Sequence, residues 1–298
     1  MGVLPPLTLV LDEEPPAHVP DACDPSVELW WDRTGAVRAM AQPARGRHWM
    51  RVTGVATFSF DDRAREVLAV PDPGVAREAV ETAYRDMVRP VALQALGLEL
   101  LHASAVITPQ GVIVLCGCSG TGKSTFAFAL AKMPAHSLWA DDLTLLDLRG
   151  TLLEAVALPF DIGLRPASVS YFRDVESSPP RKARESRAPL RAICILRRVD
   201  PAGPLHVTRL TASAAFSQLM DYAHSFCTEV VERRRRMLRG YMELVARVPV
   251  LEVRFRPGFD AFPAVLDGLM SRVGDETHAQ CDRPQPAVES SIAQLEAT

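Results

Sequence analysis

The sequence predicts an α/β chain: a P-loop core with a mixed β-sheet flanked by helices, preceded by a small β-rich N-terminal module. Three observations predict it. Residues 117–125, GCSGTGKST, form a glycine-rich loop between an apolar strand, VIVLCG, and a helix, STFAFALA. The apolar runs LELLHASAVIT and GVIVLCG are joined by a PQG turn and read as a hairpin rather than a crossover, which makes the sheet mixed. Ahead of them, Val27 to Val70 breaks into short strand-like runs: VELWW, AVRAMA, HWMRVTGVATFSF and REVLAV. Gly35, Pro43, Gly46 and Asp61–Asp62 punctuate them.

The remaining elements follow in order. Prolines crowd the first 25 residues and bar helix interiors and central strands, so residues 1–25 read as an extended arm. Residues 26–90 make the β-rich module. GVAREAVETAYRDMVRPVALQALG has apolar residues at helical spacing interrupted by Pro90, as two helices or one kinked helix. After the loop helix, SLWADDLTLLDL reads as one strand and TLLEAVALPF as another. RDVESSPPRKARESRAP reads as a mobile surface loop. LRAICILRRV returns to buried-strand texture, TASAAFSQLMDYAHSF and EVVERRRRMLRGYMELVARV read as helices, VLEVRFRPG as a late strand and DAFPAVLDGLMSRV as a closing helix. The core therefore spans 91–273, and 274–298, poor in apolar residues, reads as a disordered tail.

Bulk properties exclude several classes. A net charge of −3 and an aromatic share of 6% argue against nucleic acid as a partner. No long uncharged apolar run suggests a membrane span, and the N-terminus lacks a signal-peptide pattern. Cys23, Cys116, Cys118, Cys194, Cys227 and Cys281 show no zinc-type spacing, which fits reduced thiols in a cytoplasmic protein.

The loop carries the chemistry. Gly117-x-x-x-x-Gly122-Lys123-Ser124 matches the Walker A pattern in the required strand–loop–helix setting. Glycines let backbone N–H groups curl into an anion nest, to which Ser119, Gly120, Thr121 and Thr125 also belong, and the helix N-terminus adds positive charge. Lys123 then bridges the β- and γ-phosphates of ATP, and the Ser124 hydroxyl ligates Mg²⁺. Such a site needs a carboxylate near the metal, and Asp141–Asp142 supply it. One holds Mg²⁺ through water while the other takes the proton from an attacking hydroxyl; the competing reading is that one only caps a turn. A lone strand histidine such as His102 is more often structural than catalytic.

His102, GCSGTGKS and the ADD of Asp141–Asp142 stand in the order and spacing that resemble the HPr kinase/phosphorylase family, over residues 98–273. The resemblance implies a phosphotransferase acting on a hydroxyl with Mg-ATP as donor. It implies Asp141 on the metal side, Asp142 as general base, His102 near the transferred phosphoryl group and Lys123 and Ser124 on nucleotide and metal. Arg256, in a similar Arg-Pro-Gly turn, is implied as a phosphate contact. Thr125 replaces the family's usual Glu, and its E-I-R-G-x-G-I signature has only FDIGLRP as a distant counterpart. The implied acceptor is therefore a serine of a peptide or protein, or a small hydroxylated metabolite, rather than HPr. A homo-oligomer is a possibility that the family carries.

Other features stay bland beside these. Arg233 to Arg236 and Arg239 read as a solvated helix face or a local contact with an acidic substrate. Arg181 to Arg187 read as a solubilising stretch or a lid, and at least one of Trp30 and Trp31 as core. Besides the kinase, two functions remain open: a P-loop ATPase coupled to a partner, and a nucleotide-binding regulator without catalysis.

Overall fold

The computed structural model describes residues 7–14, 17–31, 34–43, 46–61, 65–174, 180–184, 186–199, 205–224 and 231–281, with 174 and 276–281 described by backbone alone. It is a mixed α/β structure with two mixed sheets.

The N-terminal sheet holds β1 (Thr8–Leu11), β2 (Glu28–Trp31), β3 (Val37–Pro43), β4 (His48–Val52), β5 (Ala56–Phe60) and β6 (Glu66–Pro71) in the order β1-β6-β5-β4-β3-β2. The β2–β6 run is an antiparallel meander whose alternate residues, from Ala39 and Met50 to Phe58 and Val67, face one core. The proline-rich arm contributes more than an extended lead-in: its β1 pairs parallel to β6, Thr8 opposite Glu66. Trp30 packs against this core, whereas Trp31 is 60% exposed.

A continuous helical run covers that core: α1 (Arg77–Ala83), a π-helical turn (Tyr84–Val88) and α2 (Arg89–Ala95). Pro90 explains the wide turn, since its ring crowds the carbonyl four residues back and it offers no N–H. The run carries Val80, Val88 and Val91 into the N-terminal core and Leu93 into a further cluster with Leu98, Leu100, Leu145 and Val156. The boundary at residues 90/91 thus falls inside one helix.

The larger sheet is built from β7 (Glu99–Leu101), β8 (Ala103–Thr108), β9 (Gly111–Cys116), β10 (Ser137–Ala140), β11 (Thr144–Asp147), β12 (Glu154–Val156), β13 (Arg187–Arg198), β14 (His206–Arg209), β15 (Ala223–His224) and β16 (Val250–Phe255). Its main path runs β10-β8-β9-β13-β12-β11-β7-β15, with β16 also on β13 and β14 on β16. The β8–β9 hairpin is antiparallel, and β13 is parallel to both β9 and β16. The first residues of β13 pair with β12 and the rest with β9 and β16, so this twelve-residue strand joins two sub-sheets.

Helices close both faces. α3 (Lys123–Leu130), α4 (Pro166–Asp174) and α7 (Phe262–Cys281) form one side, where Phe126, Phe172 and Leu269 meet Ile113, Leu115 and Cys194 of the sheet. α5 (Ala212–Met220) and α6 (Val231–Arg247) form the other, where Leu219, Tyr241 and Leu244 meet Val114, Ile193 and Ile195. Strand alternation sends neighbouring residues of β9 and β13 into opposite cores.

Several elements differ from the expected ones. SLWADDLTLLDL and LELLHASAVIT are each broken in two, at Asp141–Asp142 and at His102. TASAAFSQLMDYAHSF ends as helix at Met220 and continues as β15, and β14 adds an edge strand. The charged loop is partly ordered: Arg181 and Ala183 hydrogen-bond Leu138 of edge strand β10. Its residues 175–179 and 185 lie outside the described residues, as does the tail from 282; residues 274–281 continue α7. Among the described residues no helix is long and apolar enough to cross a membrane.

Candidate functional site

β9 delivers the chain into the loop at Gly117, and α3 begins at Lys123. Three glycines take left-handed backbone angles that other residues adopt only under strain: Gly117 (φ 155), Gly120 (φ 84) and Gly122 (φ 113). A Cβ on Gly117 would also lie 3.1 Å from the Leu196 carbonyl oxygen of β13. Thr121 closes the loop on itself, its N–H and hydroxyl both donating to the Cys118 carbonyl.

Both broken strands change sub-sheet at the same level. β8 pairs with β10 and β7 with β11, so His102 and Asp141–Asp142 sit together at the crossing. The Ala103 N–H donates to the Asp142 carbonyl, and the His102 N–H to that of Tyr222. Asp142 has φ 66, and the Leu143 N–H donates back to the Asp141 carbonyl, closing a three-residue γ-turn. The turn rotates the two aspartates apart. Asp141 is 7% exposed, its Oδ1 accepting from the Ser104 hydroxyl (2.6 Å) and its Oδ2 from the Gly163 N–H (2.8 Å). The Asp142 side chain is 79% exposed and faces His102, with Oδ1 3.2 Å from Nδ1.

The other imidazole nitrogen, Nε2, lies 3.2 Å from Lys123 Nζ, which also donates to the Gly117 carbonyl at 2.8 Å. With Lys123 as an ammonium, its N–H donates to Nε2, placing the ring proton on Nδ1, where it is donated to Asp142. Burial lowers the Lys123 pKa, against the opposing pull of Asp142, Cys116 and Asp141.

These groups border a cleft of about 620 Å³. Ser119, Gly120, Thr121, Gly122, Lys123, Ser124, Thr125, His102 and Asp142 line it. Gly117 and Asp141 stand behind that lining. Arg256 is not brought to the cleft: it forms an ion pair with Asp260, while its neighbours Phe255 and Pro257 border the opening. Phe255, the last residue of β16, is buried against α3, and Arg256 follows past the strand's end with its side chain part-exposed.

The structure adds residues beyond those named for the site, two of them, Gly163 and Arg165, inside FDIGLRP. Gly163 and Arg165 come from the segment between β12 and α4 and Ser168 from α4 itself, its hydroxyl meeting that of Thr125 at 2.8 Å. Arg198, at the end of β13, donates to the Thr121 carbonyl at 3.1 Å. Phe126, Phe259 and Phe262 form an aromatic wall, with Tyr171 stacked on Phe259 at 4.4 Å. Ser104 was readable, since strand alternation puts it on the face of His102. Arg198 left no local signal, and Arg165 only its place in FDIGLRP.

No family model matches the sequence, and no curated protein matches it. Among solved structures the chain is similar to the Hpr(Ser) kinase/phosphatase from Coxiella burnetii, with 14% identity and a TM-score of 0.31, over 59% of this chain and 98% of that one.

Proposed function

We propose that the protein is a kinase that transfers the γ-phosphoryl group of Mg-ATP to a hydroxyl, on a serine of a peptide or protein or on a small hydroxylated metabolite. The observation that carries this reading is the chain Asp142–His102–Lys123, which runs from an exposed carboxylate to the phosphate loop. Asp142 takes the proton of the acceptor hydroxyl as that oxygen attacks the γ-phosphorus; the bond from phosphorus to the β,γ-bridging oxygen breaks and ADP leaves. Lys123 neutralises charge on the β- and γ-phosphates, and His102 orients the base through its Nδ1–H.

The donor set fits Mg²⁺. Among the described residues no cluster of three or more His, Cys, Asp or Glu makes a metal cage. Mg²⁺ is ordinarily held by one or two protein oxygens plus substrate phosphates and water. Ser124 and Asp141 are the residues that would hold it, and the ion would supply charge neutralisation at the phosphates. Asp141 is oriented for that role from two sides, by Ser104 and Gly163.

ADP release from Mg-ATP tests the reading, measured for the wild type and Asp142→Asn with and without pools of peptides and hydroxylated metabolites. Turnover that rises with an added acceptor and falls about 100-fold or more in the variant is expected. Hydrolysis indifferent to every acceptor would overturn it in favour of a partner-coupled ATPase.

A further inference from the structure

Several arginines on the sheets of this molecule meet carboxylates. Arg187 pairs with Asp147 and Glu154, Arg197 with Glu252 and Arg51 with Asp72. Arg165 does not. It stands on the segment leading into α4, borders the nucleotide cleft, and has no carboxylate within ion-pair distance among the described residues. Its guanidinium lies across the crown of the phosphate loop. Nη2 is 3.5 Å from Ser119 Oγ, and Nη1 is 3.0 Å from the point where a Cβ on Gly120 would stand. The bare glycine is what lets the planar group approach the loop backbone.

We propose that Arg165 grips the terminal phosphate of the donor, so that the cleft distinguishes a nucleoside triphosphate from a diphosphate. The inference rests on the nucleotide reading above. Backbone N–H groups near the start of α3 take the inner phosphates, and Lys123 approaches from the His102 side. The crown of the loop, over Ser119 and Gly120, is left for the outermost phosphate, and the Arg165 guanidinium lies over it. A guanidinium matches two phosphate oxygens with two parallel N–H donors, and one without a counter-ion has no ion pair to break first. The same segment donates the Gly163 N–H to Asp141, so one stretch of chain serves both the terminal phosphate and the metal-side carboxylate.

Calorimetric titration with Mg²⁺ and either ADP or a non-hydrolysable ATP analogue tests the proposal on the full chain, as wild type, Arg165→Ala and Arg165→Lys. Arg165→Ala is expected to weaken the triphosphate about 10- to 100-fold, the worth of a charge-assisted contact, and to leave ADP within about threefold. Arg165→Lys, a point charge without the fork, recovers part of the loss. The side chain is exposed, so the variants are expected to keep the wild-type melting temperature. Equal weakening of both ligands, or of neither, overturns the proposal while leaving the kinase reading intact. A wild type that binds neither nucleotide overturns both.

Discussion

Asp142 is held in a left-handed γ-turn that costs an ordinary residue about 1–2 kcal/mol and glycine almost nothing. Asp142→Gly is therefore expected to raise stability by about 1 kcal/mol while abolishing transfer, and paired thermal denaturation and ADP-release assays check both halves. An Asp142→Gly protein less stable than the wild type would show that the contact with His102 outweighs the strain. At this scale the sequence was most legible where the chemistry is contiguous. The loop from Gly117 to Thr125 declares itself because nine neighbouring residues do one job. Arg165 and Arg198 reach the same loop from distant elements, and no spacing rule connects them to it. Arg256 shows the converse: a plausible neighbour in sequence, just past the end of β16, pairs instead with Asp260.

Two ion-pair arrangements fix whole elements. Arg233 of α6 and Glu99 of β7 are both about 5% exposed and joined by two hydrogen bonds, Nη1 to Oε1 and Nη2 to Oε2. Burial raises the Glu99 pKa despite the arginine, so removing the cation leaves a costly carboxylate. Arg233→Met is expected to lose about 3–5 kcal/mol in urea denaturation, and Glu99→Leu added to it to restore much of the loss. The run of arginines concealed this residue, yet Arg233 shares a helix face with Met237, Tyr241 and Leu244, and that periodicity was the available signal. On β11, burial would raise the Asp147 pKa, but hydrogen bonds from Arg149 and Arg187 prevail and hold it well below the usual carboxylate range. The native state then binds fewer protons than the unfolded chain below the unfolded pKa. Stability from Asp147 is complete above that value and is lost as the pH falls towards the folded one. The urea midpoint of Asp147→Asn is expected to drop less than that of the wild type between about pH 5 and about pH 3. The breaks at His102 and Asp141–Asp142 were illegible for a different reason: both halves of each strand are apolar, and only the partner strand reveals where pairing changes sub-sheet.

Across the whole molecule, the N-terminal sheet and the larger sheet share the helical run of 77–95 and a cluster in which Leu7 packs with Leu93, Leu98 and Leu100. Tyr84 adds a hydrogen bond to the Leu7 carbonyl. The full chain is expected to unfold in one transition, and a chain beginning at residue 91, stripped of those contacts, to aggregate; calorimetry and gel filtration distinguish this from independent modules. Composition announced two textures but could not show that a helix stitches them together. The long strand β13 has a consequence of another kind, for synthesis. By residue 142 a growing polypeptide has already displayed its glycine loop, its histidine and both aspartates, yet β9 has a partner on one side only until residues 187–198 arrive. The loop leans on that late strand, Gly117 against Leu196 and Thr121 against Arg198. On the proposed function, nucleotide capture would certify a finished chain: a ribosome-stalled product ending at residue 174 is expected to ignore ATP, however complete its motif.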